Sequence, residues 1–140
     1  MLTPVTISAK LFMQQLWQHK LNWNEPLSVQ LTSQWHCIAA NLEQTPKFLI
    51  KRLYLQFDSN DQLALHVFVD ASTKVYGAVT YIYRGDQSSL VMAKARVAPL
   101  KGHTLPRLEL MAALIGARLC NFVLSSLKHL CFKVIMWSDS

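Results

Sequence analysis

Hydrophobic residues in the first 45 positions recur every three or four residues, which is the period of an amphipathic helix. One stripe consists of Ala9, Phe12, Met13, Leu16, Trp17 and Leu21, and a second of Leu31, Trp35, Ile38, Ala39 and Leu42. The polar segment 22–26 separates them, and Thr45-Pro46 ends the second, because a residue before proline is pushed out of the helical region. We expect two helices, with the tryptophans packing against neighbouring elements.

From residue 53 the hydrophobic period becomes that of β-strands. A short candidate strand at 53–57 is followed by the polar turn 58–61, and three longer strand-like runs occupy residues 63–70, 76–84 and 89–97. The segments between these runs are short and rich in Asp, Ser and Gly, which favours hairpins. The pattern therefore predicts an antiparallel three-stranded meander.

A long helix and a last strand complete the predicted elements. Thr104 is suited to the N-cap and Pro106 to the first turn of a helix that ends near Leu127. The last strand covers residues 133–137. The order is β-β-β-α-β, so the helix is a crossover that can return strand four parallel to strand one. The expected fold class is α/β, with a mainly helical segment at residues 1–60 and the sheet within 61–140.

Composition narrows the class of protein. With 51% hydrophobic and 16% charged residues in 140, the chain has enough apolar content for a folded core. The apolar stretch 110–117 stops at Arg118, short of the roughly 18–20 residues that cross a bilayer, and the first residues do not resemble a signal peptide. We expect no membrane partner and an intracellular protein, in the cytoplasm, the nucleus or a virus-like particle.

The cysteines agree with an intracellular location. Cys37, Cys120 and Cys131 are odd in number and form no C-x-x-C pair, so reduced thiols are expected. A zinc site made of His129, Cys131 and Cys120 is disfavoured, because structural zinc sites show paired ligands at short spacing.

Three of the eight acidic residues occupy positions that are unusual for a carboxylate. Asp70 and Asp139 each end an apolar strand run, and Glu109 lies inside an apolar helical segment. Burying such charges is costly unless a cation pairs with them. Taken singly, each has a structural explanation, as a turn residue or as an early-helix acid favoured by the helix dipole. Because parallel strands end at one edge of a sheet, however, Asp70 and Asp139 should lie side by side.

The helix surface around Glu109 is built for close approach to the sheet. The small residues Ala112, Ala113 and Gly116 follow Glu109 at helical spacing. The main apolar face of the helix should consist of Leu108, Ile115, Leu119 and Phe122. We therefore expect Glu109 to join the two aspartates.

Three carboxylates suit a hard divalent ion such as Mg²⁺. Two such ions about 4 Å apart can activate water for attack on a phosphodiester. Residues 63–140 carry nine Lys and Arg against four Asp and Glu, a net charge of +5, and the excess is concentrated in Arg84, Lys94, Arg96, Lys101 and Arg107. This basic stripe could neutralise phosphates or be an ordinary solvated face. Nuclease chemistry is the sharper hypothesis.

Several segments resemble one known family in the right order and spacing. They are Val69-Asp70-Ala71-Ser72, Tyr76-Gly77-Ala78-Val79, Ala93-Lys94-Ala95-Arg96, Leu105-Pro106-Arg107-Leu108-Glu109-Leu110 and Trp137-Ser138-Asp139-Ser140. Together they resemble the ribonuclease-H-like region of BEL/Pao retrotransposon Pol polyproteins. Residues 1–60 are similar to the connection that follows the reverse transcriptase in the same polyproteins.

The resemblance implies a site, a substrate and partners. Asp70, Glu109 and Asp139 match the family's metal-binding and catalytic carboxylates, which hold two Mg²⁺ ions, with Mn²⁺ as a substitute and no small-molecule cofactor. The substrate would be the RNA strand of an RNA–DNA hybrid, and the reverse transcriptase domain of the same polyprotein would be a partner. Ser72, Lys94, Arg96 and Arg107 are candidate contacts to the nucleic-acid backbone.

Two expectations limit this interpretation. The family fold continues past strand four to a fourth metal-binding aspartate, whereas this sequence stops one residue after Asp139, so we expect a C-terminally truncated domain with little or no activity. The family region is often labelled a peptidase, yet no Asp-Thr/Ser-Gly triplet of an aspartic peptidase occurs. The alternative is a non-enzymatic remnant that binds nucleic acid or reverse transcriptase.

Overall fold

The computed structural model describes residues 3–45, 62–127, 130 and 132–139. Its elements are helices α1 (Thr3–Gln18) and α2 (Val29–Glu43), strands β1 (Leu63–Ala71), β2 (Val75–Arg84) and β3 (Gln87–Val97), helix α3 (Leu105–Ser126) and strand β4 (Phe132–Ser138). Helices α1 and α2 belong to one compact unit, and α3 with the strands belongs to another. The predicted strand at 53–57, the turn at 58–61 and the division at residue 60 lie outside the described residues.

Both predicted N-terminal helices are confirmed. Phe12, Leu31 and Ile38 form their buried cluster, and Leu21 packs on it although α1 ends at Gln18. Of the packing contacts expected of the tryptophans, the one made by Trp35 is confirmed. Trp35 stacks on Phe12 with ring centroids 5.7 Å apart, whereas Trp17 and Trp23 are 66% and 88% exposed.

The sheet has the strand order β3-β2-β1-β4. Strand β2 is antiparallel to both β1 and β3, and β4 is parallel to β1. Gly85 takes a φ of +54° in the two-residue connection between β2 and β3, a conformation that glycine adopts without strain. The predicted meander, crossover helix and parallel fourth strand are therefore all confirmed.

The core lies between α3 and one face of the sheet. Alternate residues of β1 and β2 are buried, including Leu65, Val67 and Ile82, which have no exposed surface. The helix contributes Leu108, Ala112, Ile115, Gly116, Leu119, Cys120 and Val123. Burial raises the pKa of the Cys120 thiol, which keeps this cysteine protonated.

The predicted packing face of α3 was wrong at one position. Phe122 is 55% exposed, and Val123 is buried in its place. Val123 follows Leu119 by four residues, which keeps it on the same face, whereas Phe122 is rotated out of that face. Leu108, Ile115 and Leu119 are buried as expected.

Helix α3 meets the length and hydropathy criterion for a membrane-spanning segment. It has 22 residues, and an 18-residue window within it has a mean hydropathy of 1.5, which is long and apolar enough to cross a bilayer. A helix in the core of a folded domain meets the same criterion, and seven residues of α3 are buried against the sheet unit. Length and hydropathy alone therefore do not decide the environment of this helix.

Helix α3 approaches the sheet closely at Gly116. A Cβ atom at this position would lie 2.5 Å from Cγ1 of Val69 and 3.2 Å from Cγ1 of Val67. Both valines are buried and their short branched side chains are stiff, so they have little freedom to move away. The small residue predicted to permit close approach is therefore required at this point.

We expect Gly116→Val to lower the free energy of unfolding by about 2–3 kcal/mol, because the added atoms overpack the interface with β1. The exposed neighbour Ala117 provides the control, since Ala117→Val changes helix propensity by at most about 0.7 kcal/mol without meeting the sheet. Urea denaturation followed by circular dichroism measures both. Equal stability of the two variants would contradict the close approach.

Candidate functional site

Strands β1 and β4 end at the same edge of the sheet. Their parallel register pairs Val69 with Ser138, so Asp70 and Asp139 follow the last pair on each strand. Both aspartates are exposed. The predicted adjacency of these residues therefore follows directly from the backbone pairing.

Glu109 reaches this edge from the beginning of α3. Thr104 occupies the N-cap position as predicted, but its side chain makes no cap hydrogen bond. Its backbone carbonyl instead accepts from the N–H groups of Arg107 and Leu108 at 3.1 Å. Leu108 and Ala112 are buried in the core, and Glu109 between them is half-buried. The helix thereby places Glu109 at the margin of the core.

The three carboxylates line one small pocket of about 20 Å³, room for about one water molecule. The lining residues are Val69, Asp70, Ala71, Glu109, Ala112, Ser138 and Asp139. The structure thus brings together all three acids predicted from sequence, each from a different element.

The structure corrects the expectation that burial makes these carboxylates costly. Asp70 and Asp139 are exposed and Glu109 is half-buried, so water reaches all three. The strand runs that precede the aspartates are apolar because their alternate residues face the core, but the carboxylates themselves lie beyond that core. No partner cation is needed to offset the burial of a charge here.

The donor set fits Mg²⁺ by its chemistry. Carboxylate oxygens are its preferred protein ligands, and Mg²⁺ keeps several waters, so one or two direct carboxylates are enough. Within the described ranges, however, no three His, Cys, Asp or Glu side chains are grouped closely enough to hold one ion together. Binding of a metal ion by Asp70, Glu109 and Asp139 stays a prediction.

Three of the predicted nucleic-acid contacts lie on the α3 side of the sheet unit. Lys94 and Arg96 pair in register with Ala78 and Tyr76, whose side chains face α3, and both cations are exposed. Arg107 is exposed in the first turn of α3. Their contact with nucleic acid stays a prediction.

Ser72 has a local structural role. Its Oγ donates to the backbone carbonyl of Val75 at 3.1 Å and accepts from the N–H groups of Lys74 and Val75 at 3.3 and 3.1 Å. These bonds close the connection between β1 and β2, which begins two residues after Asp70. The serine therefore shapes the turn beside the pocket.

Sequence reasoning missed an aromatic cluster on the sheet face opposite α3. The indole Nε1 of Trp137 donates to Nδ1 of His66 at 3.1 Å. The indole also stacks on Phe68, with the two ring centroids 6.2 Å apart. The ring centroids of His66 and Tyr83 are 4.3 Å apart. The alternation of aromatic residues along β1 and β2 could have predicted a shared face, but not the hydrogen bond.

We expect Ser72→Ala to lower the free energy of unfolding by about 1 kcal/mol, because the turn loses its side-chain hydrogen bonds. Affinity for an RNA–DNA hybrid should stay within twofold of the unsubstituted chain, whereas Arg96→Ala should weaken it. Thr73→Ala, at the neighbouring exposed position, is the control for stability. A loss of hybrid affinity in Ser72→Ala equal to that in Arg96→Ala would show that Ser72 contacts the nucleic acid.

Comparison with known proteins agrees with the fold and with the resemblance found in the sequence. No curated protein and no solved structure matches the chain. A family model described as a Pao retrotransposon-like RNaseH-like domain matches residues 1–140. The mixed sheet, with β1 parallel to β4 and α3 as the crossover, is consistent with that description. The chain belongs to the Pao retrotransposon-like RNaseH-like domain family.

Proposed function

We propose that this fragment of a retrotransposon Pol protein carries part of a nuclease site for the RNA strand of RNA–DNA hybrids. The observation that supports the proposal is the pocket at the edge of the sheet, where carboxylates from β1, α3 and the end of β4 meet. Three acids drawn from three separate elements are unusual in a chain with only eight. Hydrolysis of a phosphodiester is the chemistry that such a set serves best.

The exposed carboxylates of Asp70 and Asp139 and the half-buried carboxylate of Glu109 would hold the metal. When bound there, Mg²⁺ would supply an activated water and charge stabilisation for the leaving oxygen of the phosphodiester. Lys94, Arg96 and Arg107 would neutralise phosphates of the hybrid and fix its position. These cations lie on the same side of the sheet as α3, which carries Glu109.

We further propose that the chain alone cleaves slowly. The family resemblance implies four metal-binding carboxylates, and the acidic residues that line the pocket in the described part of the chain are Asp70, Glu109 and Asp139. A site with three acids attracts a second divalent ion less strongly than one with four. Binding of the hybrid does not need the second ion and should persist.

A second candidate is a non-enzymatic module that holds nucleic acid through its basic residues. The absence of a three-ligand metal cluster within the described ranges favours it. The net charge of +6 supports binding to a polyanion in either case. The two candidate functions differ in whether Mg²⁺ changes the affinity of the chain for an RNA–DNA hybrid.

The helical unit is proposed to bind a protein partner. Residues 1–60 resemble a connection to reverse transcriptase, and we propose that domain as the partner of α1 and α2. The exposed Trp17 and Trp23 give this unit an apolar surface for such a contact.

For the location of the protein we propose the interior of the cell, since free Cys37 and Cys120 are compatible with a reducing environment. Peptidase activity has no support in the residues, since no Asp-Thr/Ser-Gly triplet is present.

The proposal is tested with the full chain and a labelled RNA–DNA hybrid, in Mg²⁺ and in EDTA. We expect binding that weakens steeply with salt, tightening several-fold in Mg²⁺, and cleavage close to background. Asp70→Asn should remove the effect of Mg²⁺. Asp86→Asn, which removes an equal charge at an exposed turn between β2 and β3, should leave it intact.

Each result decides between the candidates. Binding that is identical in Mg²⁺ and EDTA favours the non-enzymatic module and contradicts the metal site. Rapid cleavage that Asp70→Asn abolishes supports the nuclease site and contradicts only the proposed low activity. Loss of the Mg²⁺ effect in Asp86→Asn as well would show that it reflects total charge rather than the pocket.

A further inference from the structure

We infer that Trp137 is a positioning residue, whose contacts with His66 and Phe68 hold Asp139 beside Asp70. The inference rests on the proposed function, because it assigns a task to the carboxylate pocket. It adds two side chains, Trp137 and His66, that lie outside that pocket.

Strand β4 needs such a constraint because little else fixes it. It lies at the end of the strand order and pairs only with β1 in the described part of the chain. Val134, Met136 and Trp137 are 43–49% exposed, so burial in the core contributes less to β4 than to β1. Backbone pairing alone allows slippage where neither face of a strand is deeply buried.

The indole of Trp137 provides a contact that depends on register. Trp137 is paired directly with Phe68, and the two rings are nearly parallel, with an interplanar angle of 11°. The indole N–H can only donate, so Nδ1 of His66 is the acceptor of this hydrogen bond. A one-residue slip of β4 would break the hydrogen bond and the stack together.

These contacts lie close enough to the pocket to control its geometry. Phe68 precedes Asp70 by two residues, and Trp137 precedes Asp139 by two. Each of the paired aromatic residues is therefore separated from an aspartate by the same number of positions along its strand. A one-residue slip would displace Asp139 by about 3.3 Å. That exceeds a whole Mg²⁺–oxygen distance of about 2.1 Å. Correct register at Trp137 is therefore a condition for shared metal binding by the two aspartates.

The test measures Mn²⁺ binding to the full chain by the electron paramagnetic resonance of free Mn²⁺. Trp137→Leu, which removes the stack and the donor, should weaken binding about tenfold, and Trp137→Phe, which keeps a ring, about threefold. His66→Leu should resemble Trp137→Phe. His66→Asn, whose amide oxygen can accept from the indole, should restore affinity to within twofold of the unsubstituted chain. Trp23→Phe, in the helical unit, is the control and should change nothing.

Asp70→Asn, measured alongside, separates failure of the inference from failure of the proposed site. If Asp70→Asn weakens Mn²⁺ binding and Trp137→Leu does not, Trp137 has no positioning role and the metal site stands. If neither variant changes the affinity, the proposed site itself is wrong. Should Trp137→Leu fail to fold, the pair His66→Leu and His66→Asn decides, since equal affinities for both would overturn the inference.

Discussion

The structure depends on the parallel pairing of β1 with β4, which the crossover helix α3 makes possible. Two parallel neighbours end at one edge, and this places the residues after Val69 and Ser138 next to each other. The helix can connect the meander to β4 only by lying on the sheet, and its tight contact at Gly116 fixes how it lies. The same helix brings Glu109 to the edge where the strands end. The pairing of β1 with β4 and the packing of α3 on the sheet together bring the three carboxylates to one pocket.

The candidate site is open to solvent. Its aspartates are exposed and its glutamate is half-buried, so their negative charges are hydrated when no ion is present. Such a solvent-exposed site suits a cation that keeps part of its hydration shell better than one bound only by protein ligands, because Mg²⁺ loses its waters reluctantly. The net charge of the chain is +6, which would favour the approach of a nucleic-acid backbone. Metal binding and phosphate binding are therefore expected to support each other.

Much of the fold and the three carboxylates could be predicted from sequence because they depend on periodicity and on order. Alternation identified β1 to β3, and chain order with the handedness of crossover connections identified the parallel β4. The unusual placement of acids after apolar runs then identified Asp70 and Asp139. Each of these features is local in the chain or follows from topology alone.

Features that depend on three-dimensional detail were missed. The apolar pattern of α3 did not separate Phe122 from Val123, since one step around a helix decides which is buried. The role of Ser72 depends on the shape of a turn, and the contact of Trp137 with His66 joins residues 71 positions apart. The exposure of the carboxylates depends on the residue at which each strand leaves the core. The hydrophobic pattern of the sequence does not indicate that residue.

The central claim is that β1, α3 and β4 present one shared metal site. It is tested most directly by adding substoichiometric Mn²⁺ to the ¹⁵N-labelled full chain and recording which amide resonances broaden. The account predicts simultaneous broadening at the ends of β1 and β4 and around Glu109, with none at Asp86. Broadening confined to one of these elements, or spread over exposed acids such as Asp86 and Glu25, would contradict it.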